Sequence, residues 1–178
     1  MTVPKGARLL EGFAEWLSLT PANAVFSNTN EFWTWLIIPV SQCIHIVCVA
    51  IVMMSVGLLN MRLLGVAGTR QSFAQLSADL MPWFWTGLIV LFLTGTVQTI
   101  AEPGRELLNI GFKTKMVLLS VTVLITMFYE RSVKRDPNYW SSPAHRNLAN
   151  VLATVSLVLW IGIASAGRMI AYLDMRHQ

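Results

Sequence analysis

The sequence predicts an all-α polytopic membrane protein, an up-down bundle of four transmembrane helices preceded by an interfacial amphipathic helix. Three observations predict it. Four apolar runs are each close to the length that a membrane-spanning helix requires, roughly 17 to 25 residues. Hydrophobic residues make up 54% of the 178-residue chain and charged residues only 12%, with a mean hydropathy of +0.57. Soluble domains carry roughly twice that charge. The few charges also fall between the apolar runs, not along them. No segment outside the runs is long enough to bury its own core, so one compact domain is expected.

Residues 1–33 form the predicted arm. Over 7–19, Leu9, Leu10, Phe13, Trp16 and Leu17 share one side while Glu11 and Glu15 lie away from it. That is the pattern of a short helix lying in the membrane interface, with a partner's docking face as the alternative. Thr20-Pro21 ends it. Phe26, Phe32, Trp33 and Trp35 then read as an aromatic belt at the membrane entry. Lys5 and Arg8 are accompanied by acidic residues and by no apolar h-region, so no cleavable signal is expected.

The transmembrane domain is expected over 34–173. Its first span, about 36–61, has Pro39 in its first turn or so, where a missing N–H costs least. Residues 62–81 read as a loop with an interfacial turn around Phe73, Leu76 and Leu80. The second span, about 82–100, opens on Pro82-Trp83-Phe84-Trp85, and its Gly87 and Gly95 share a face open to a neighbouring backbone. Glu102 to Glu106 read as a short polar turn. The third span, about 112–129, starts with Lys113 and Lys115, whose side chains snorkel to the headgroups. A solvated connector of mixed charge leads to the fourth span, about 148–172, which presents Gly162, Ser165 and Ala166 as a small-residue face. Residues 174–178 are a polar tail.

Four spans place both termini on one side. Lys and Arg are absent from Asn23 to Pro39, whereas Arg62 and Arg70 follow the first span closely. The positive-inside rule therefore puts the termini on the periplasmic face and the two basic loops in the cytoplasm, although Lys113 and Lys115 oppose this. The net charge of +4 sits at helix ends, where it meets lipid headgroups. Without a basic cluster interleaved with aromatics, nucleic acid is not an expected partner. Membrane lipids are, and a protein partner or a second copy in the membrane is left open.

One residue asks for more than a greasy helix. His45 lies about 12 to 15 Å deep by the helical rise, where an imidazole against lipid is costly. Ser41, Gln42, Cys48 and Val52 share its face by spacing. The bland alternative is a buried histidine bonded to a helix carbonyl or to Gln42. Cys43 and Cys48 are about 140° apart around the helix and read as packing residues. As a haem ligand, His45 has no histidine partner at matching depth, because His145 lies about 20 Å away along the bundle axis. A His45–Met127 pair, a haem b shared across a dimer, and five-coordinate iron on His45 all survive that argument. Copper lacks a repeated methionine or His–Met cluster. Passage of a proton or ion would use Gln42, His45, Asn60, Asn109, Lys115 and Arg168, with Arg62 as a further polar candidate, but no acidic residue lies inside a span. No P-loop, dinucleotide glycine pattern, zinc spacing or nucleophile elbow occurs, so no catalytic residue is assigned and catalysis is not expected of the chain on its own.

Ile44-His45, Asn60-Met61-Arg62-Leu63-Leu64-Gly65, Pro82-Trp83-Phe84-Trp85-Thr86-Gly87, Thr94-Gly95, Asn109-x-x-Phe112-x-x-Lys115 and Gly167-Arg168 stand together along nearly the whole chain. In these the protein resembles a family of small bacterial four-helix integral membrane proteins of unknown function. That family is distantly similar in shape to copper-resistance D-type and b-type cytochrome membrane subunits. The resemblance implies the fold and a bacterial inner-membrane location, not an activity. Family members tend to carry an aspartate where this chain has Asn60. Many have a Phe-His pair where it has Phe128-Tyr129, and that histidine would be the natural partner for His45.

Three functions follow as expectations. The first is an accessory or anchoring subunit of a redox or envelope complex, with haem b near His45 and a role in electron transport. The second is a small transporter or ion-conducting protein acting through the Gln42–His45 stripe, and the third a purely structural assembly subunit.

Overall fold

A computed structural model describes the backbone of residues 5–27 and 32–174, and the side chains of 9–27 and 35–167. In chain order its helices are α1 (Lys5–Ser18), α2 (Pro21–Ser27), α3 (Phe32–Leu63), α4 (Phe73–Ala101), α5 (Pro103–Leu107), α6 (Ile110–Arg135) and α7 (Arg146–Asp174). Two short 3-10 turns, Tyr139–Ser141 and Pro143–His145, precede α7. No strand occurs among the described residues. Four helical stretches there are long and apolar enough to cross a membrane: Trp35–Leu63, Phe73–Ala101, Ile110–Arg135 and Pro143–Gly167. The chain is an all-α, multi-pass membrane protein.

Its surface is the inverse of a soluble protein's. Ile46, Met54, Ile89, Phe92, Leu124 and Ile161 are exposed, while Asn60, Thr122, Thr126 and Ser156 are fully buried. Lipid solvates the first group and nothing in lipid would satisfy the second, so the hydroxyls bond inward. Thr122 and Thr126 donate to the carbonyls of Leu118 and Thr122 at 3.0 and 2.9 Å.

Every long helix is longer than its apolar run, for local reasons. The largest difference is α4, which begins at Phe73 and not at Pro82. Ser72 and Gln75 form a reciprocal capping box: the Gln75 N–H donates to Ser72 Oγ at 3.2 Å and the Ser72 N–H to Gln75 Oε1 at 3.0 Å. With that start fixed, the helix runs on through Pro82, which removes one i→i−4 bond and leaves the Ala78 carbonyl without its helical donor. Pro39 is likewise inside α3, not in its first turn. Thr20-Pro21 ends α1 but also opens α2, the Thr20 hydroxyl accepting from the Asn23 N–H at 3.3 Å. The polar turn after Ala101 is the helix α5. Glu130 to Arg135 extend α6, and the Lys134 ammonium meets Glu130 one turn back at 2.7 Å.

Gly65 ends α3 in a Schellman motif. Its φ is +74°, the Gly65 N–H donates to the Arg62 carbonyl at 3.1 Å and the Val66 N–H to the Met61 carbonyl at 2.9 Å. Arg62 Nε donates to the Gln71 carbonyl at 2.7 Å and so ties the following loop to the helix end.

The fold divides into two compact units. The first comprises the chain up to Cys48, Ile89–Lys115 and the chain from Ser165; the second comprises Val49–Leu88 and Met116–Ala164. In the second unit, segments of α3, α4, α6 and α7 pack around Val52, Val56, Leu59 and Phe84, all buried. Gly162 of α7 lies so near α6 that a Cβ there would stand 3.2 Å from Leu118 Cδ1, in line with the expected small-residue face. Trp140 closes this unit. Its buried ring meets Phe73, Phe128, Tyr129 and Tyr139 edge-on, with centroids 6.1, 5.8, 5.2 and 5.0 Å away.

Candidate functional site

In the first unit, α3 presents Ser41 and His45, one turn apart, to Thr94 and Gly95 of α4. His45 Nδ1 lies 2.8 Å from Thr94 Oγ1, and the Thr94 hydroxyl donates to the Val90 carbonyl one turn back at 2.8 Å. A hydroxyl has one hydrogen. Assigning that hydrogen to the Val90 carbonyl leaves Oγ1 to accept, and on that assignment Nδ1 carries the imidazole proton and Nε2 the lone pair. Ser41 Oγ donates to the Thr94 main-chain carbonyl at 3.4 Å. Gly95 keeps the ring's flank open: a Cβ there would reach ordinary van der Waals contact, 3.6 Å from His45 Cε1.

One turn beyond Thr94 on α4, the buried Gln98 Nε2 has no hydrogen-bond partner among the described residues. Lys115, in the first turns of α6, lies within electrostatic reach of both His45 and Glu106. Glu106 of α5 sits outside the spans. Burial raises its carboxyl above the ordinary range, Lys115 and Arg105 oppose that rise, and Glu102 adds to it. The arm belongs to this unit too: α1 packs on α5, and Asn23 Nδ2 donates to the carbonyls of Ile100 and Ala101 at 2.7 and 3.3 Å. Those carbonyls end α4 and have no helical donors of their own.

The sequence's other polar candidates separate from His45. Gln42 is exposed, so the inward seam of α3 runs through Ser41, His45, Cys48, Val52, Ser55 and Leu59, and His45 bonds to a facing threonine, not to Gln42. Asn60 belongs to a buried network in the second unit. Its Nδ2 donates to Ser156 Oγ at 2.9 Å, and its Oδ1 accepts from the Tyr129 hydroxyl at 3.2 Å. Position 129 is thus a partner of position 60. Arg62 is the loop tie described above, and Asn109 caps α6 by accepting from the Gly111 N–H at 2.8 Å. Met127 lies half-buried in the second unit and His45 in the first. Arg168 is in α7, with its side chain outside the described residues, and so are those of Phe32 and Trp33 in the expected aromatic belt.

Among the described residues no group of three His, Cys, Asp or Glu side chains is placed to hold a metal ion. The two cysteines are free, Cys48 buried and Cys43 exposed. Sequence reasoning missed Thr94 as the histidine's partner. The Thr94-Gly95 pair, a hydrogen-bonding residue beside an open one, was its only local signal.

A family model described as a family of unknown function, DUF6644, matches residues 26–173, from α2 to the last turn of α7. The chain belongs to DUF6644. The match covers four-fifths or more of the chain, and within it lie His45, Thr94, Gly95 and Lys115. No curated protein and no solved structure matches the sequence. For this DUF6644 member, then, chemistry has to be argued from its own residues.

Proposed function

We propose that this DUF6644 protein is an accessory or anchoring membrane subunit of a redox or envelope complex, holding haem b through His45. The observation that carries the reading is the 2.8 Å contact of His45 Nδ1 with Thr94 Oγ1, a hydroxyl that itself bonds back to Val90. Nδ1–H given to Thr94 leaves Nε2 as a ligand with its direction set, the same arrangement in which metal-bound histidines are oriented by an outer partner. A bare metal ion needs several protein ligands, whereas haem brings four equatorial nitrogens and asks the protein for only one or two axial ones. Lys115 supplies a positive charge near the membrane edge, suited to the propionates. Haem held there would supply one-electron redox chemistry; His45 would bind it, with Thr94 orienting His45 and the surrounding apolar helices excluding water.

The exposed side of the arm, Leu9, Phe13, Trp16 and Leu19, gives this subunit a surface for the membrane interface or a protein partner. Its place is the bacterial inner membrane, with both termini periplasmic, as the lysines and arginines after the first span favour. A transporter reading has less support, because Gln42 lies on the exposed side of α3 and away from any inward polar path.

The test is an oxidised and reduced visible spectrum of the protein purified from its native membrane. A stoichiometric Soret band that shifts on reduction, and is lost in His45→Ala but kept in His145→Ala, is expected. No band, or a band that survives His45→Ala, overturns the reading.

A further inference from the structure

The second unit holds a groove of about 340 Å³ between α4 and α6. Its buried lining is Ser77 and Met81, and Ala74, Ala78, Pro82, Val133, Glu130 and Lys134 line it nearer the surface. We propose that this groove is a binding site for a phospholipid with a primary-amine, zwitterionic headgroup of the phosphatidylethanolamine type.

Three features point to that chemistry. Glu130 is held in place by the Trp85 indole N–H, which donates to Oε2 at 2.9 Å, and by Lys134, which donates to Oε1 at 2.7 Å. Each carboxylate oxygen has a second lone pair, so Glu130 can still accept from an ammonium. Pro82 adds a second acceptor, since it takes the helical donor from the carbonyl of Ala78, a residue that lines the groove. Lys134, mostly exposed beside them, offers the positive charge for a phosphate. The groove therefore presents two acceptors and one cation, the complement of an ammonium joined to a phosphate. A quaternary ammonium has no N–H to give either acceptor. An acidic headgroup without an amine would meet Glu130 with like charge. The groove also sits where α6 passes from apolar residues to its charged last turns, which is the depth of lipid headgroups.

The test is lipid retention by native mass spectrometry on the full-length protein. Phosphatidylethanolamine, phosphatidylcholine and phosphatidylglycerol with identical acyl chains are offered at equal concentration. Retention of phosphatidylethanolamine should exceed that of phosphatidylcholine about tenfold or more, the scale of one charge-assisted bond. Glu130→Gln keeps an acceptor for Trp85 but removes the charge, and should abolish the preference. Pro82→Ala restores the helical donor to Ala78 and should weaken the preference while leaving the helix intact. Equal retention of the amine and choline lipids, a preference for phosphatidylglycerol, or an unchanged preference in both variants overturns the proposal.

Discussion

Tyr129 and Asn60, from α6 and α3, meet inside the second unit with both side chains fully buried, the phenol donating to the amide oxygen at 3.2 Å. Asn60 passes the connection on to Ser156 of α7, so three helices are joined by two hydrogen bonds. Asn60→Ala leaves a phenol and a serine hydroxyl without their partner and should destabilise the protein by about 1–2 kcal/mol. Tyr129→Phe removes only the longer bond and should cost about 0.5 kcal/mol. Thermal unfolding in detergent ranks the two. No loss in Tyr129→Phe would mean that ring packing on Trp140, which phenylalanine keeps, and not the bond sets the value of Tyr129.

Thr94 Oγ1 stands 2.8 Å from His45 Nδ1, placed to select the tautomer protonated there, and Thr94→Val removes the acceptor at nearly constant shape. In nitrogen-15 spectra of histidine-labelled protein, Nδ1 should be the protonated nitrogen in the wild type and in Thr94→Ser. In Thr94→Val the two tautomers should mix. If the site holds haem, Thr94→Val should also weaken retention about tenfold, the usual lower range for loss of an outer partner.

Glu106 makes stability depend on pH in a set direction. Its carboxyl is raised by burial, so the folded state holds its proton at pH values where the unfolded chain has lost it. Stability from this residue is therefore fully present below the ordinary carboxylate range and is lost as pH rises through the raised value. The melting temperature of the wild type should fall over that window, and Glu106→Gln should flatten the fall. An unchanged slope in the variant would assign the effect to another carboxylate.

Gly65 and Gly68 both take positive φ, +74° and +68°, in the loop after α3. Gly65→Ala has open space for its methyl and should cost only the backbone penalty, about 1 kcal/mol. Gly68→Ala adds a Cβ 3.3 Å from Leu76 Cδ2 and should cost more. Unfolding of the two single variants decides the order.

The four spans were legible because lipid demands long apolar runs, a signal that survives in one sequence without alignment. Helix ends were less so. Ser72 and Gln75 carry a capping box that starts the helix well before the opening expected at Pro82, and Asn109 looked like a polar candidate although its role is to cap α6. The histidine itself was readable and its partner was not. Spacing around α3 puts both Ser41 and Gln42 near His45, but only the packing of α4 decides which of them turns inward, and that register leaves no trace in the periodicity of either helix. Asn60 and Tyr129 were singled out separately; their hydrogen bond joins positions far apart in sequence.

The bond from Asn23 to the end of α4 spans 77 and 78 residues of chain. That separation fixes an order of events during synthesis. The arm leaves the ribosome before α4, and the carbonyls of Ile100 and Ala101 exist only after α3 and α4 have been made and threaded. Until then α1 and α2 have no α4 terminus to cap and no α5 to rest on. α1 and α2 are thus placed only after α4 and α5 follow them, and the insertion machinery, or the bilayer surface itself, must shelter Leu9, Phe13 and Trp16 in the interval.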